Sequence, residues 1–305
     1  MKRAVTVLLS GFLIVTSQSA DIRKEPRDRE PGYAHDDLNE TQALFNEVLL
    51  HKFSKDGWFY VEALEQKEFT HNSKWQGYPG YIRKEKVRFV DDPPAHDLVI
   101  NSPVAAVFAA PAAAGNILFN VSSGTKFETA GREGDFYKVR TGEKSFGWVN
   151  KKDAGIIHAA VSEDILRKNI VESAGLFLGI PYLWGGRDPA EGIDCSGLTN
   201  LAYRANGIDI PRDAHEQWMS AEKINAAELK PADLIFLSGK KGVDSIVHVM
   251  LFTGGENFIE APGTGGKVRP ASFREKFGMG LEGLSKKNFT VNGKKVHFGR
   301  IKLRR

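Results

Sequence analysis

The sequence has little cysteine, little excess of charge and no long apolar run. Its 305 residues include one cysteine, Cys195, so a disulfide within the chain is excluded. The net charge of +4 is too small to indicate nucleic-acid binding. No H-x-x-x-H or C-x-x-C spacing occurs, so we expect neither a metal nor a cofactor. A hydrophobic content of 41% and a charged content of 26% are typical of a globular protein.

The first residues have the pattern of a secretory signal peptide. Lys2 and Arg3 precede an apolar run from Ala4 to Val15, and small residues follow up to Ala20. We therefore predict a signal peptide over 1–20 and export to the periplasm, the cell wall or the outside. The run is shorter than the roughly 20 apolar residues that span a bilayer, so no stable membrane span is expected after processing, although an N-terminal anchor is the alternative.

The region after this segment is rich in β-like runs separated by polar turns. A charged linker is predicted over 21–36, followed by two small domains over 37–97 and 98–159. Each domain carries the pattern G-x-F/W-Y-x-V followed by G-W/Y-V/I-x-K. The matching segments are Gly57–Val61 with Gly80–Lys84, and Gly134–Val139 with Gly147–Lys151. The repeated pattern resembles bacterial SH3-like barrels; unrelated β-hairpins are the alternative.

The remaining residues, 160–305, predict an α+β domain. Ser162 can cap a helix, and Ser196 to Asn206 predicts a helix that ends at Gly207. Strands are expected over Leu234–Leu237, Val247–Phe252, Asn257–Ala261 and Gly299–Leu303. A helix with a nucleophile at its start, followed by strands, suits a papain-like core.

Cys195 is the candidate nucleophile, because it stands where a glycine-rich loop becomes a helix. The unpaired N–H groups of a helix start favour a thiolate. Gly197 allows the backbone to pack closely behind the nucleophile. The alternative is a buried, inert thiol.

His248 is the candidate base, because it lies inside the apolar strand Ile246–Phe252. The other histidines lie before the catalytic region, in a polar stretch or near the end of the chain. Glu260 on the next strand is a carboxylate that can accept the second ring N–H and orient the imidazole. A different orienting group, with Glu260 facing solvent, is the alternative.

These residues lie in motifs that resemble the NlpC/P60 family of papain-like cysteine peptidases. The motifs are P-Y-L-W-G-G at 181–186, D-C-S-G-L at 194–198, D-L-I-F-L at 233–237 and H-V-x-L-F at 248–252. The resemblance implies that Cys195 is the nucleophile, that His248 is its base and that Tyr182 helps to bind the oxyanion. The family's third residue, commonly His, Asn or Gln, falls on Glu260.

The order of domains resembles the γ-D-glutamyl-L-diamino acid endopeptidases of that family. This implies hydrolysis of peptidoglycan stem peptides that carry a free N-terminal L-Ala. The residues implied to contact substrate are Asp194, Ser196, Trp184, Glu47 and Tyr78. Carboxylates facing an ammonium group are chemically reasonable, because a buried amine needs a paired charge.

Two other functions compete with this one. The departure at Glu260 is compatible with an inactive protein that only binds peptidoglycan. A papain-like acyl or amide transferase is the second alternative. Thiol reactivity of Cys195 and cleavage of γ-glutamyl peptides distinguish the peptidase from both.

Overall fold

The structure of the chain, a computed structural model, describes residues 11–30, 32, 35–112, 115–157, 161–239 and 242–303, without the side chains of 242–244. Two β-rich modules precede an α+β domain. Within these described ranges, no helix is both long enough and apolar enough to cross a membrane.

The first module is one antiparallel sheet of seven strands in the order β3-β2-β6-β5-β4-β1-β7. Its buried core includes Leu13, Ile22, Leu49, Val61 and Ile82. The strands are β1 (Phe12–Val15), β2 (Ser19–Arg23), β3 (Asn39–Leu44), β4 (Val48–Lys55), β5 (Trp58–Glu68), β6 (Gln76–Arg83) and β7 (Val87–Val90).

Strands β1 and β2 correct the predicted N-terminal boundaries. Strand β1 lies between β4 and β7, with Phe12 opposite both Leu50 and Val90. Leu13 and Val15 are fully buried. A cut before Asp21 would remove β1 and divide β2, so the prediction of a cleaved segment over 1–20 is wrong for 12–20. The linker over 21–36 is wrong at its start; residues 1–10 lie outside the described ranges.

The error has a simple cause. A short apolar run that forms a buried strand cannot be told from the core of a signal peptide by composition alone. The distinction depends on the pairing of β1 with strands far along the chain.

The second module has two small antiparallel sheets, ordered β10-β9-β14-β13-β12 and β11-β8-β15. Its core contains Leu98, Val107, Phe127, Val139 and Val149. The strands are β8 (Leu98–Ile100), β9 (Val104–Phe108), β10 (Ile117–Ser122), β11 (Lys126–Phe127), β12 (Thr129–Glu133), β13 (Phe136–Arg140), β14 (Phe146–Asn150) and β15 (Ala154–Ile156).

The α+β domain is built on an antiparallel sheet in the order β18-β24-β19-β20-β21-β22, with β23 paired to β24. One face packs on the helices through residues such as Leu198, Leu201 and Val249, and the other face packs an aromatic layer that includes Phe258 and Phe273. The helices are α1 (Glu163–Gly175), α2 (Cys195–Arg204), α3 (Ala214–Ser220), α4 (Phe273–Phe277) and α5 (Leu281–Lys286). The strands are β16 (Arg187–Asp188), β17 (Gly192–Ile193), β18 (Glu222–Ile224), β19 (Leu234–Gly239), β20 (Gly242–Gly254), β21 (Asn257–Glu260), β22 (Arg269–Ser272), β23 (Thr290–Val291) and β24 (Lys294–Arg300).

Buried ionic contacts attach both modules to the α+β domain. Arg204 of α2 bonds Glu65 of the first module at 2.8 Å, and Lys126 of the second module bonds Asp209 at 2.6 Å. The N–H of Arg212 donates to the carbonyl of Lys67 at 3.0 Å. The first module therefore stands directly beside α2, the helix that begins at Cys195, and the segment that follows it.

Candidate active site

Cys195 is the first residue of α2. The residue before it fixes the junction between the preceding loop and this helix. Asp194 has an extended backbone and caps the helix, its Oδ1 accepting from the N–H of Gly197 at 2.6 Å. Leu198 and Leu201 bury the inner face of the helix in the main core. The helix start therefore holds the thiol at a defined place against the sheet.

Gly197 is required by a close backbone approach, as predicted. A Cβ added at Gly197 would lie 2.3 Å from the carbonyl oxygen of Gly186. The glycine-rich loop thus packs directly on the first turn of α2, and any side chain at 197 would force the two apart.

His248 lies in β20, opposite Leu237 of β19. Its Nε2 is 3.0 Å from Oε2 of Glu260, so the structure brings these two predicted residues into direct contact. The backbone N–H of the next residue, Val249, is close enough to the Cys195 sulfur to lower the pKa of the thiol. The thiol therefore lies beside the backbone of the histidine strand. With Nε2 held by Glu260, Nδ1 is the ring nitrogen available to a thiol proton.

Burial disfavours the charged forms of both the Cys195 thiol and the His248 imidazole. Burial, reinforced by the negative charge of Asp194, raises the pKa of Cys195 to about 12, although backbone N–H groups and Arg212 act in the opposite direction. Burial also lowers the pKa of His248. The helix start and its backbone N–H groups favour the thiolate and burial opposes it, so reaction of Cys195 as a thiolate stays a prediction.

Glu260 is a buried carboxylate that remains ionised. Burial alone would raise its pKa, but hydrogen bonds from His248 and Lys276 outweigh burial and hold the pKa at about 2. Arg269 contributes a further bond to Oε1 at 2.9 Å. Glu260 thus serves as a permanent acceptor for the imidazole.

Tyr182 lies in the loop before the nucleophile and is 7% exposed. Burial raises the pKa of its phenol well above the ordinary value, and the charges of Cys195 and Asp194 raise it further. The phenol is therefore a neutral O–H donor near the sulfur.

Asp194 and Ser196 flank Cys195, but the side chains of both are hydrogen-bonded to an arginine. Arg212, which is fully buried, bonds Oδ2 of Asp194 at 2.8 Å and Oγ of Ser196 at 2.8 Å. It also donates to Oγ1 of Thr41 in the first module at 2.7 Å. The predicted substrate contacts of Asp194 and Ser196 are therefore not made by free side-chain groups in this state. These side chains hold the nucleophile loop through Arg212.

Trp184 lies at the edge of the same loop and is 40% exposed. Its ring packs against the ring of His35 at a centroid distance of 4.7 Å. Its carbonyl accepts from Nδ2 of Asn39 at 2.8 Å. The exposed ring is placed where residues of the first module and the catalytic loop meet.

The structure corrects the role predicted for Glu47. This residue is 1% exposed, and its carboxylate bonds Arg187 at 3.0 Å, Gln66 at 2.7 Å and the N–H of Leu44 at 3.0 Å. Glu47 thus fastens the first module to the catalytic loop and is not available to a substrate amine.

The hydroxyl of Tyr78 contacts two carboxylates, neither of which is Glu47. Its hydroxyl is 2.8 Å from Oδ2 of Asp213 and 3.3 Å from Oε2 of Glu40. The side chains of Glu40 and Asp213 are 17% and 39% exposed, so both reach the surface. Hydrogen bonds to Glu40 and Glu68 raise the pKa of His71 to about 9, so His71 is a cation next to these carboxylates near neutral pH.

Four of these residues were missed in the sequence: Glu40, Arg212, Asp213 and Lys276. Arg212 and Asp213 stand in a polar stretch with no periodic pattern. Lys276 stands in a charged segment that resembles several others in the sequence. Glu40 and Glu47 stand seven residues apart around one strand and turn. Only the tertiary structure shows that Glu47 is buried and that Glu40 remains partly exposed.

A thiol at a helix start, an imidazole on a strand and a carboxylate bonded to that imidazole define the site of a papain-like cysteine peptidase. Comparisons with known proteins agree. The sequence profile of the NlpC/P60 family matches residues 179–279.

Two relatives and one solved structure extend the match beyond that segment. The chain is 30% identical over 255 residues to the gamma-D-glutamyl-L-lysine dipeptidyl-peptidase of Bacillus subtilis, covering 81% of this chain and 80% of that protein. It is 28% identical over 230 residues to the protein of that name from Bacillus cereus, covering 73% and 67%. A crystal structure of an NlpC/P60 family protein from Bacillus cereus has a TM-score of 0.73, with 22% identity over 86% of this chain and 94% of that one.

The chain belongs to the NlpC/P60 family and is a cysteine peptidase. The predicted fold class, a papain-like domain behind β-rich modules, is confirmed. That the modules are SH3-like barrels stays a prediction.

Proposed function

We propose that this protein hydrolyses the bond between γ-D-glutamate and the diamino acid of peptidoglycan stem peptides that carry a free N-terminal L-Ala. The observation that carries the substrate is the meeting of Tyr78, Glu40 and Asp213 next to the nucleophile loop. The two relatives are named for γ-D-glutamyl-L-lysine peptides, which supports the same substrate class.

In the proposed reaction, Cys195 attacks the γ-carbonyl carbon of D-glutamate. Nδ1 of His248 takes the thiol proton as the sulfur–carbon bond forms, because Glu260 holds Nε2. The resulting imidazolium is stabilised by the Glu260 carboxylate. It then donates the proton to the leaving amine of the diamino acid, which leaves a thioester. Water, deprotonated by His248, hydrolyses the thioester and restores the thiol.

The oxyanion is proposed to lie between the backbone N–H of Cys195 and the hydroxyl of Tyr182. The N–H belongs to the first turn of α2, whose positive partial charge favours an anion. Tyr182 supports this assignment because its raised pKa keeps it a neutral donor throughout the reaction.

The amine end of the substrate is proposed to bind the cluster of Tyr78, Glu40 and Asp213. Two carboxylates from different domains meet at one phenol, and the nearby cations are His71, 3.6 Å from Glu40, and Arg212, 3.6 Å from Asp213. An ammonium group would supply a further positive charge. Arg212 precedes Asp213 and bonds Asp194, so this amine site is linked to the nucleophile by one chain of contacts.

Glu260 supports activity rather than an inactive binding role. Its direct bond to His248 supplies the orientation that His, Asn or Gln is implied to give in the family. The substrate places the proposed action at the cell wall or in the periplasm. That location rests on the substrate class, because 12–20 belong to the first module and give no independent sign of export.

The test is turnover of L-Ala-γ-D-Glu-L-Lys compared with the same peptide acetylated at its N-terminus. We expect kcat/KM for the free peptide to be higher by on the order of 10²-fold, because the blocked peptide leaves polar groups of the site unpaired. Glu40→Gln should remove most of that preference. Glu62→Gln, on the same module but paired with Lys52, is the matched control and should keep it.

Equal turnover of both peptides by the unchanged protein would refute the amine site. Cys195→Ala is expected to turn over neither peptide. Full activity in that variant would refute the nucleophile.

A further inference from the structure

Glu260 is an unusual orienting group for a catalytic imidazole, because it carries a full negative charge. Beside a buried histidine, an unbalanced carboxylate favours the imidazolium and raises the pKa of the ring. A base that is already protonated cannot accept the thiol proton. The surroundings of Glu260 therefore decide whether His248 can act near neutral pH.

Two cations share this carboxylate with His248. Nζ of Lys276 lies 2.5 Å from Oε2, the same oxygen that accepts from His248, and Arg269 lies 2.9 Å from Oε1. Glu260 itself is fully buried, Lys276 is 18% exposed and Arg269 is 54% exposed. Lys276 is therefore the cation that solvent screens less.

Arg269 and Lys276 reach the Glu260 carboxylate from two different elements of the fold. Arg269 stands directly opposite Glu260 in the pairing of β21 with β22. Lys276 comes from helix α4, which is anchored under the sheet by Phe273 and Phe277. This anchoring holds the lysine stem near the carboxylate.

We propose that Lys276 is a positioning residue that balances the charge of Glu260 and thereby opposes protonation of His248. The inference deepens the proposed function and rests on His248 being the base. Both nitrogens contact the same oxygen, so the Lys276 ammonium lies within about 5.5 Å of the imidazole nitrogen. At that distance a buried cation opposes protonation of the ring.

The other ionisable groups near His248 also oppose protonation of the imidazole or are uncharged near neutral pH. Lys294 of β24 also lowers the pKa of His248, after burial and Lys276. On the side of α2, the Cys195 thiol is uncharged near neutral pH, since burial raises its pKa to about 12. Among these groups, Glu260 is the one that favours the imidazolium.

The first test is an NMR titration of His248 in the full chain, with its signal assigned by comparison with His248→Gln. In Lys276→Gln, the midpoint should move to higher pH by about one unit, and the acidic limb of kcat/KM should move with it. Arg269→Gln should move the midpoint less, because that side chain is more exposed. Lys286→Gln removes an exposed lysine paired with Glu282 and should leave the midpoint in place.

A charge-compensation cycle separates this role from simple packing. Glu260→Gln alone leaves Lys276 unpaired and should move the His248 midpoint to lower pH. The double variant Glu260→Gln/Lys276→Gln should return the midpoint toward that of the unchanged protein, and Lys276→Arg should keep it.

The inference is overturned if Lys276→Gln titrates like the unchanged protein while folded, or if Arg269→Gln moves the midpoint as far. The titration requires no substrate. A shifted midpoint without cleavage of γ-glutamyl peptides would therefore leave the role of Lys276 intact and refute the proposed substrate.

Discussion

The Glu47–Arg187 pair gives the sharpest prediction, because two roles for Glu47 lead to opposite results. Glu47→Gln keeps the size of the side chain but removes its charge. Arg187 is fully buried and would then face an uncharged partner. One amide hydrogen would also point at Arg187, Gln66 or the N–H of Leu44, all of which are donors to Glu47.

The expected cost follows from this burial. Breaking a fully buried ion pair by removing one charge costs about 3–5 kcal/mol, since the other charge stays without compensation. That is a large share of the roughly 5–15 kcal/mol by which a domain is stable. With a denaturant slope of about 3 kcal/mol per molar urea, the unfolding midpoint should fall by about 1 M or more.

The assay is urea unfolding followed by tryptophan fluorescence, together with KM for the free and acetylated peptides under native conditions. We expect a lower midpoint and little change in the preference for the free amine. Glu40→Gln is the matched comparison and should show the reverse, because the Glu40 side chain is partly exposed and contacts Tyr78. An unchanged midpoint in Glu47→Gln, with the amine preference lost, would refute the structural role of Glu47.

Three further outcomes can be checked with standard assays. Tyr182→Phe should lower kcat by about 10²-fold with little change in unfolding, because one oxyanion donor is lost; an unchanged kcat would remove Tyr182 from the mechanism. Gly197→Ala should lower the melting temperature and the rate together, since its methyl group would meet the Gly186 carbonyl at 2.3 Å; a variant as stable and active as the parent would contradict this packing. Burial raises the pKa of Asp213 to about 7, so its protonation as the pH falls should raise KM for free-amine peptides. Asp213→Asn should flatten this dependence, and a steep dependence in that variant would assign it to another group.

The chemistry of the reacting groups could be predicted from local patterns. Cys195 stands at a predicted transition from loop to helix. His248 is the histidine inside an apolar strand of the catalytic region. Glu260 followed on the next strand, and its contact with His248 at 3.0 Å agrees with that expectation. Residues on adjacent strands need only the correct pairing to meet.

The charge state of the site could not be predicted in this way. The helix start suggested a thiolate, whereas enclosure by the loop, the sheet and the first module raises the pKa of the thiol. Desolvation depends on everything that excludes water, including segments more than 100 residues away in the chain.

Local sequence by itself determined the class of the catalytic domain and the candidates for nucleophile and base, because helix starts, strand alternation and glycine-dependent turns are encoded within a few residues. Tertiary structure alone decided that 12–15 form a strand of the first module, that Glu47 is buried against Arg187 and that Glu40 is partly exposed. It also placed Lys276 on Glu260. Each of these depends on which distant surfaces pack together, and burial of a charge has no signal in the residues that flank it.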